Sequence, residues 1–142
     1  MSMVFRYLDT PNPDGTLYKR PFILAVFSNG DQKMELYALV DSGADMSAID
    51  YRRAEKLGMD LSGPKVSTYG VAGNIDSVIS NLDIEVTRGH ERYTINVPIR
   101  VLYPKSETLS HTIIGRKGFF DRFRITFDEA NQKVTMKSNG QD

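Results

Sequence analysis

One carboxylate in the sequence stands where a buried strand would end and a sharp turn would begin. Apolar residues 38–40 lead into Asp41, which Ser42 and Gly43 follow. A strand that ends here would hold the carboxylate rigidly, so that it can act as a base on a water molecule. Gly43 would let the backbone turn sharply and let a second backbone come close. The Ser42 hydroxyl could hydrogen-bond to a neighbouring chain and hold the loop in place.

Asp-Ser-Gly alone is also ordinary turn chemistry, so the surrounding sequence has to decide its meaning. Three further blocks accompany it: Leu-Tyr-Lys-Arg-Pro at residues 17–21, Gly-Val-Ala-Gly at 70–73 and Ile-Ile-Gly-Arg at 113–116. In this order, over about residues 17–123, the blocks and the Asp-Ser-Gly-Ala-Asp run resemble the retropepsins, the retroviral-type aspartic proteases. The resemblance implies an aspartic endopeptidase.

The resemblance assigns the chemistry to one residue and support to its neighbours. Asp41 would be the catalytic carboxylate. Ser42 would make the hydrogen bonds that brace two active-site loops across a subunit interface, and Gly43 would allow their close approach. Ser42 stands where many retropepsins have threonine, which keeps the hydroxyl, and Met46 stands where many have a second acid. We therefore expect a different preference for substrate side chains.

The resemblance also implies a substrate groove and an ion pair beside it. Asp45 would bind the substrate backbone and pair with Arg116, and Arg20 would reach toward Asp45 of a partner subunit. Residues 70–73 would form the tip of a flap that closes over the peptide; the alternative is an ordinary hairpin turn on the far side of the barrel. The substrate-binding residues that it implies are Ala44, Asp45, Gly70, Val71, Ala72, Gly73 and Ile114.

Peptide hydrolysis of this type needs two carboxylates, and the chain has one Asp-Ser-Gly. Two carboxyl groups about 3 Å apart share one proton, so one activates water while the other polarises the scissile carbonyl. The second carboxylate must then come from a second copy of the chain, which predicts a homodimer that binds a peptide or protein substrate. Two alternatives remain open: a weakly active or inactive peptide-binding or dimerisation module of the same fold, and a plain β-barrel with a chance Asp-Ser-Gly.

The hydrophobic pattern predicts an all-β chain with one or two short helices. Alternating apolar residues predict strands near 34–40, 81–88, 93–101 and 123–127, and an apolar run predicts another at 22–27. Asn29-Gly30 predicts a tight hairpin. A short helix is predicted for 51–57, with Asp50 as its N-cap and Gly58 at its C-terminus. We expect a closed β-barrel of the retropepsin type.

Composition narrows the remaining possibilities. The 142 residues suit one domain, 1–142, with a structured core near 17–137. Lys plus Arg and Asp plus Glu are 18 each, so we predict no nucleic-acid or membrane partner. There is no cysteine and there are two histidines, so we predict no metal and no cofactor. With no signal peptide at the N-terminus, we expect a cytoplasmic protein.

Overall fold

The structure is a computed structural model that describes residues 2–70, 73–104 and 112–140. Nearly all of its regular secondary structure is β-strand, which confirms the predicted all-β class. The strands are β1 (Ser2–Arg6), β2 (Leu8–Pro11), β3 (Leu17–Arg20), β4 (Phe22–Asn29), β5 (Gln32–Val40), β6 (Ser47–Asp50), β7 (Val66–Gly70), β8 (Gly73–Arg88), β9 (Glu91–Tyr103), β10 (Thr112–Ile114), β11 (Phe123–Asp128) and β12 (Lys133–Ser138).

Seven strands pair in the order β4-β5-β10-β6-β9-β8-β7. Because β4 also pairs with β8, six of these strands close a ring of pairings around the apolar core, and β7 remains outside the ring. Residues that alternate inward along the strands, such as Phe27, Ile84 and Val97, are fully buried. The ring is therefore the scaffold that holds the candidate site.

The β4–β5 hairpin leads directly into Asp41, because β5 ends at Val40. The predicted hairpin is confirmed, but its turn lies one residue further on, because Asn29 still pairs with Gln32. Gly30 carries the positive φ of 60° that the turn requires. The Asn29 side chain instead binds residues far away in the sequence: it donates to the carbonyl oxygens of Leu57 and Gly58 at 3.0 Å each.

The β8–β9 hairpin is the longest element of the ring. Strand β8 begins at Gly73, eight residues before the predicted start. Ser77 and Ser80 are both buried in this first half, so the apolar alternation that marks the second half is interrupted. Gly89, at φ 61°, makes the turn into β9.

One short α-helix, α1 (Tyr51–Lys56), follows β6 in the described part of the chain. As predicted, Asp50 caps it, with its carboxylate accepting the Arg52 N–H at 2.9 Å, and Gly58 follows with φ 65°. The second short helical element is a 3-10 turn, Phe120–Arg122. Strand β11 begins directly after it, and Phe119, just before it, is buried.

The chain termini form a separate three-stranded antiparallel sheet in the order β1-β12-β11. Met3 pairs with Met136 and Phe5 with Val134, and all four side chains are buried. The structured part therefore reaches Ser2 instead of beginning near residue 17. The alternation of Met3, Phe5 and Tyr7 is the signal in the sequence that marks this strand. In the described residues, no helix has the length and apolar character needed to cross a membrane.

Candidate active site

Asp41 is the first residue after β5, and the backbone around it is tied down. Its N–H donates to the carbonyl oxygen of Ile114 at 3.0 Å, and its own carbonyl oxygen accepts the Ala44 N–H at 3.2 Å. The carboxylate atom Oδ1 accepts the Gly43 N–H at 2.9 Å. The side chain is half-buried, so one part of the carboxylate is fixed while the residue still faces solvent. The carboxylate is therefore held in a defined position at the end of the strand.

Ser42 and Gly43 form the exposed tip of this loop. A Cβ atom on Gly43 would stand 3.2 Å from Asp41 Oδ1, which is tighter than an ordinary contact. Glycine at this position therefore leaves room for the carboxylate.

A second segment, residues 114–117, is joined to the loop along its length. The Gly115 N–H donates to the Ser47 hydroxyl at 3.0 Å. The Arg116 and Lys117 N–H groups donate to the carbonyl oxygens of Ala44 and Asp45 at 2.9 and 2.8 Å. The Asp41 loop is thus held by backbone bonds from a strand that lies about seventy residues away in the sequence.

Gly115 lies against the backbone at Met46 and Ser47 with no space for a side chain. A Cβ atom built on Gly115 would overlap the carbonyl group of Met46 and stand 2.8 Å from the Ser47 nitrogen. Ser47 is fully buried, and its hydroxyl supplies the acceptor that the Gly115 N–H needs. Ser47 was not among the residues predicted from the sequence. Its only signal in the sequence is a small polar residue directly after the active-site run.

Asp45 lies at the other end of the loop and finds a different partner from the predicted one. In the described part of the chain its ion-pair partner is Arg100 of β9, at 3.7 Å between Oδ2 and the guanidinium. Arg116 is exposed and lines, with Asp45, an open concavity beside the pair. Within the chain, the ion pair of Asp45 with Arg100 therefore takes the place of the expected pair with Arg116. Sequence alternation places Arg100 on the outer face of β9, but it does not identify its neighbour.

Arg20 is engaged within its own hairpin. Its guanidinium donates to the carbonyl and hydroxyl oxygens of Thr10 and to Asn12 Oδ1, and it lies 5.0 Å from the Tyr18 ring centre. These contacts stiffen the β2–β3 hairpin. The predicted approach of Arg20 to Asp45 of a partner subunit stays a prediction.

The two isoleucines before Gly115 face in opposite directions. Ile114 is fully buried in the core, and Ile113 is partly exposed on the outer face beside Leu39, with which it pairs in parallel. The side chain expected at the substrate surface, Ile114, is therefore a core residue. A one-residue step along a strand reverses the face, and sequence alone does not settle which of two adjacent isoleucines points inward.

The predicted flap is part of a β-hairpin. Strands β7 and β8 pair up to Gly70 and Gly73, and Gly73 has φ 104°. In the described residues β7 pairs only with β8, so this hairpin forms the free end of the seven-stranded sheet. Val71 and Ala72, the expected flap tip, lie outside the described residues.

No group of three or more His, Asp or Glu side chains in residues 2–70, 73–104 and 112–140 is arranged to hold a metal ion.

Comparison with known proteins defines the class first. A family model described as aspartyl protease matches residues 26–117, which is more than half of the chain. The chain therefore belongs to the aspartyl protease family, and the resemblance to retropepsins is confirmed.

Among the solved structures that are similar to this chain is a retropepsin-like aspartic protease from Rickettsia conorii, at 20% sequence identity and a TM-score of 0.56, with 96% of this chain and 93% of that chain covered. The likeness shows that the two share a fold. Another is the EIAV protease complexed with the inhibitor HBY-793, at 24% identity and a TM-score of 0.49, with 69% of this chain and 83% of that chain covered. A search of curated protein sequences found no match.

Proposed function

We propose that the protein is a homodimeric aspartic endopeptidase in which each subunit contributes Asp41. The observation that carries the proposal is the fixed Asp41 carboxylate, which accepts the Gly43 N–H at 2.9 Å at the end of a core strand in a chain of the aspartyl protease family.

The chemistry requires a second carboxylate close to the first. One carboxylate must be ionised to take a proton from water, and another must be protonated to polarise the scissile carbonyl. Two carboxyl groups about 3 Å apart meet both needs, because they cannot both ionise and so share one proton. Since the chain has a single Asp-Ser-Gly, a second copy supplies the partner group.

The exposed loop tip supports this arrangement. Ser42 and Gly43 offer a hydroxyl and a small residue at the surface, where a two-fold axis would bring identical loops together. The peptide would lie extended beside Asp41, with Ala44 and Asp45 at one end of the groove. The hairpin that contains Gly70, Val71, Ala72 and Gly73 would act as the flap above it.

Substitution of the carboxylate tests the proposal directly. Wild-type protein should digest an unfolded protein at acidic pH, and pepstatin should stop it. Asp41→Asn should abolish cleavage, because the amide keeps an acceptor for the Gly43 N–H but cannot supply an ionised base. Asp31→Asn, the same change at an exposed turn, is the matched control and should cleave normally. Near-normal turnover by Asp41→Asn would show that Asp41 is not the catalytic group.

The assembly is tested by mass. Sedimentation at micromolar concentration should give twice the 16.0 kDa of one chain. A strict monomer that cleaves peptides would contradict the shared site. The alternative function, a peptide-binding module of the same fold, predicts a complex with an unfolded protein that survives without cleavage.

A further inference from the structure

A groove lies between the β2–β3 hairpin and the outer face of β4–β5. It has a cavity volume of about 480 Å³ and is open on one side. We name it the hairpin groove. Its lining residues are Leu8, Asp9, Thr10, Pro11, Phe22 and Tyr37.

The groove shares a strand face with the candidate site. Side chains alternate along a strand, so Tyr37 and Leu39 point to the same side of β5, and Asp41 continues that series just past the strand end. Across β4, Leu24 pairs with Tyr37 and Phe22 with Leu39, so these side chains also lie on the outer face. An apolar track therefore runs from the groove toward Asp41.

One wall of the groove is an open strand edge. Four consecutive residues of β2, Leu8–Pro11, line it. Successive side chains of a strand point to opposite faces, so four in a row can line one groove only where the strand presents its edge. In the described part of the chain β2 pairs with β3 alone, which leaves its other edge unpaired. An unpaired edge beside an apolar surface is suited to an added strand, that is, an extended peptide.

The wall is held in shape without a ligand. Arg20 donates to Thr10 and to Asn12 across the hairpin, and Lys19 lies 3.1 Å from Asp9. Because Asp9 already has a cation, the groove presents no unpaired charge to an apolar side chain. A preformed edge costs little ordering when a peptide binds.

The distance to Asp41 sets which part of a peptide reaches the groove. Tyr37 precedes Asp41 by four residues, which is about 13 Å along an extended strand at roughly 3.3 Å per residue. An extended peptide advances by a similar amount, about 3.3–3.6 Å per residue. We propose that the hairpin groove binds an extended segment of the substrate about four residues from the scissile bond, with an apolar side chain against Phe22 and Tyr37. This inference rests on the proposed peptidase function.

Cleavage profiles test the inference without a known substrate. A proteome-derived peptide library is digested by wild type and by Tyr37→Ser, and the cleavage sites are determined by mass spectrometry. Wild type should favour apolar over polar residues about tenfold at the fourth residue from the cut, and Tyr37→Ser should lose that preference while keeping the preferences next to the cut. Tyr37 is 61% exposed, so the change does not disturb the core. Val4→Ser, on the terminal sheet at 42% exposure, is the matched control and should keep the wild-type profile.

A binding measurement separates failure of the groove from failure of the peptidase function. Millimolar N-acetyl-phenylalanine amide should shift the backbone amide signals of Leu8 and Thr10 saturably, and N-acetyl-serine amide should not. Saturable shifts without any proteolysis would support peptide binding in the hairpin groove and contradict the peptidase proposal. Proteolysis without a preference at the fourth residue, or with the same preference in Tyr37→Ser, would contradict substrate binding in the groove and leave the peptidase proposal unaffected. Absence of both proteolysis and shifts would overturn both.

Discussion

The close approach of Gly115 to the backbone at Met46 and Ser47 predicts a strong effect from one added methyl group. A Cβ atom at position 115 would overlap the Met46 carbonyl and stand 2.8 Å from the Ser47 nitrogen. All of these atoms belong to the backbone, so no side chain can rotate away to make room. Gly115→Ala must therefore push apart the two segments that hold the Asp41 loop.

The size of the effect follows from the contacts. Extra carbon atoms in a packed interior cost about 1–3 kcal/mol, and here the displacement also strains the buried bond from Gly115 N–H to Ser47, which is worth about 1 kcal/mol. We expect a loss of about 2–4 kcal/mol. With an unfolding entropy of about 2.1 cal/mol/K per residue, 142 residues give about 0.3 kcal/mol/K, so Tm should fall by roughly 7–13 °C. Turnover should fall as well, because Ile114 next to it holds the Asp41 N–H.

Gly63→Ala is the matched control for thermal unfolding at one fixed protein concentration. A Cβ atom there would meet Val78 Cγ1 at 3.4 Å, an ordinary contact, and its φ lies outside the left-handed region. Its stability should change by less than about 1 kcal/mol. If Gly115→Ala lowered Tm by no more than Gly63→Ala, the two segments would not be in contact as described, and the account of how Asp41 is held would fail.

Three further predictions concern the surroundings of the site. Ser47→Ala should cost about 1–3 kcal/mol in denaturant unfolding, because it leaves a buried N–H without its acceptor; an unchanged midpoint would contradict this. Arg100→Ala should cost less than about 1 kcal/mol in denaturant unfolding, since its partner Asp45 is 57% exposed; a loss of several kcal/mol would contradict a surface ion pair. Gly73→Ala, at φ 104°, should introduce strain of about 1–3 kcal/mol at the hairpin end and slow turnover; turnover at the wild-type rate would argue against a flap.

Local features of the chain were predictable because neighbouring residues decide them. The apolar run before Asp41 predicted the strand that ends there, and Asn29-Gly30 predicted the hairpin in which Gly30 has the positive φ. The Asp50 cap predicted the start of α1. These features depend on only a few neighbouring residues, so they can be predicted without knowledge of the fold.

The family could also be predicted from the sequence, because its blocks occur in order along the chain. That order identified Asp41 as the candidate catalytic group, and the single Asp-Ser-Gly implied a second copy. It did not determine which of Ile113 and Ile114 points inward, since both belong to one short apolar run. The parallel pairing with β5 decided that Ile114 is buried.

The remaining features depend on residues far apart in the sequence, and only the tertiary structure decided them. Asp45 pairs with Arg100 because β6 lies beside β9, with Ala48 opposite Arg100. Position 115 requires glycine because the two segments cross without space for a side chain, and the Ser47 hydroxyl accepts the Gly115 N–H at this crossing. The linear sequence does not show which residue a given charge, hydroxyl or glycine will contact, since many residues of suitable type are available. Which of them meet is set by how the strands pair around the ring, so the sequence determined the candidate catalytic residue and the fold determined what holds it.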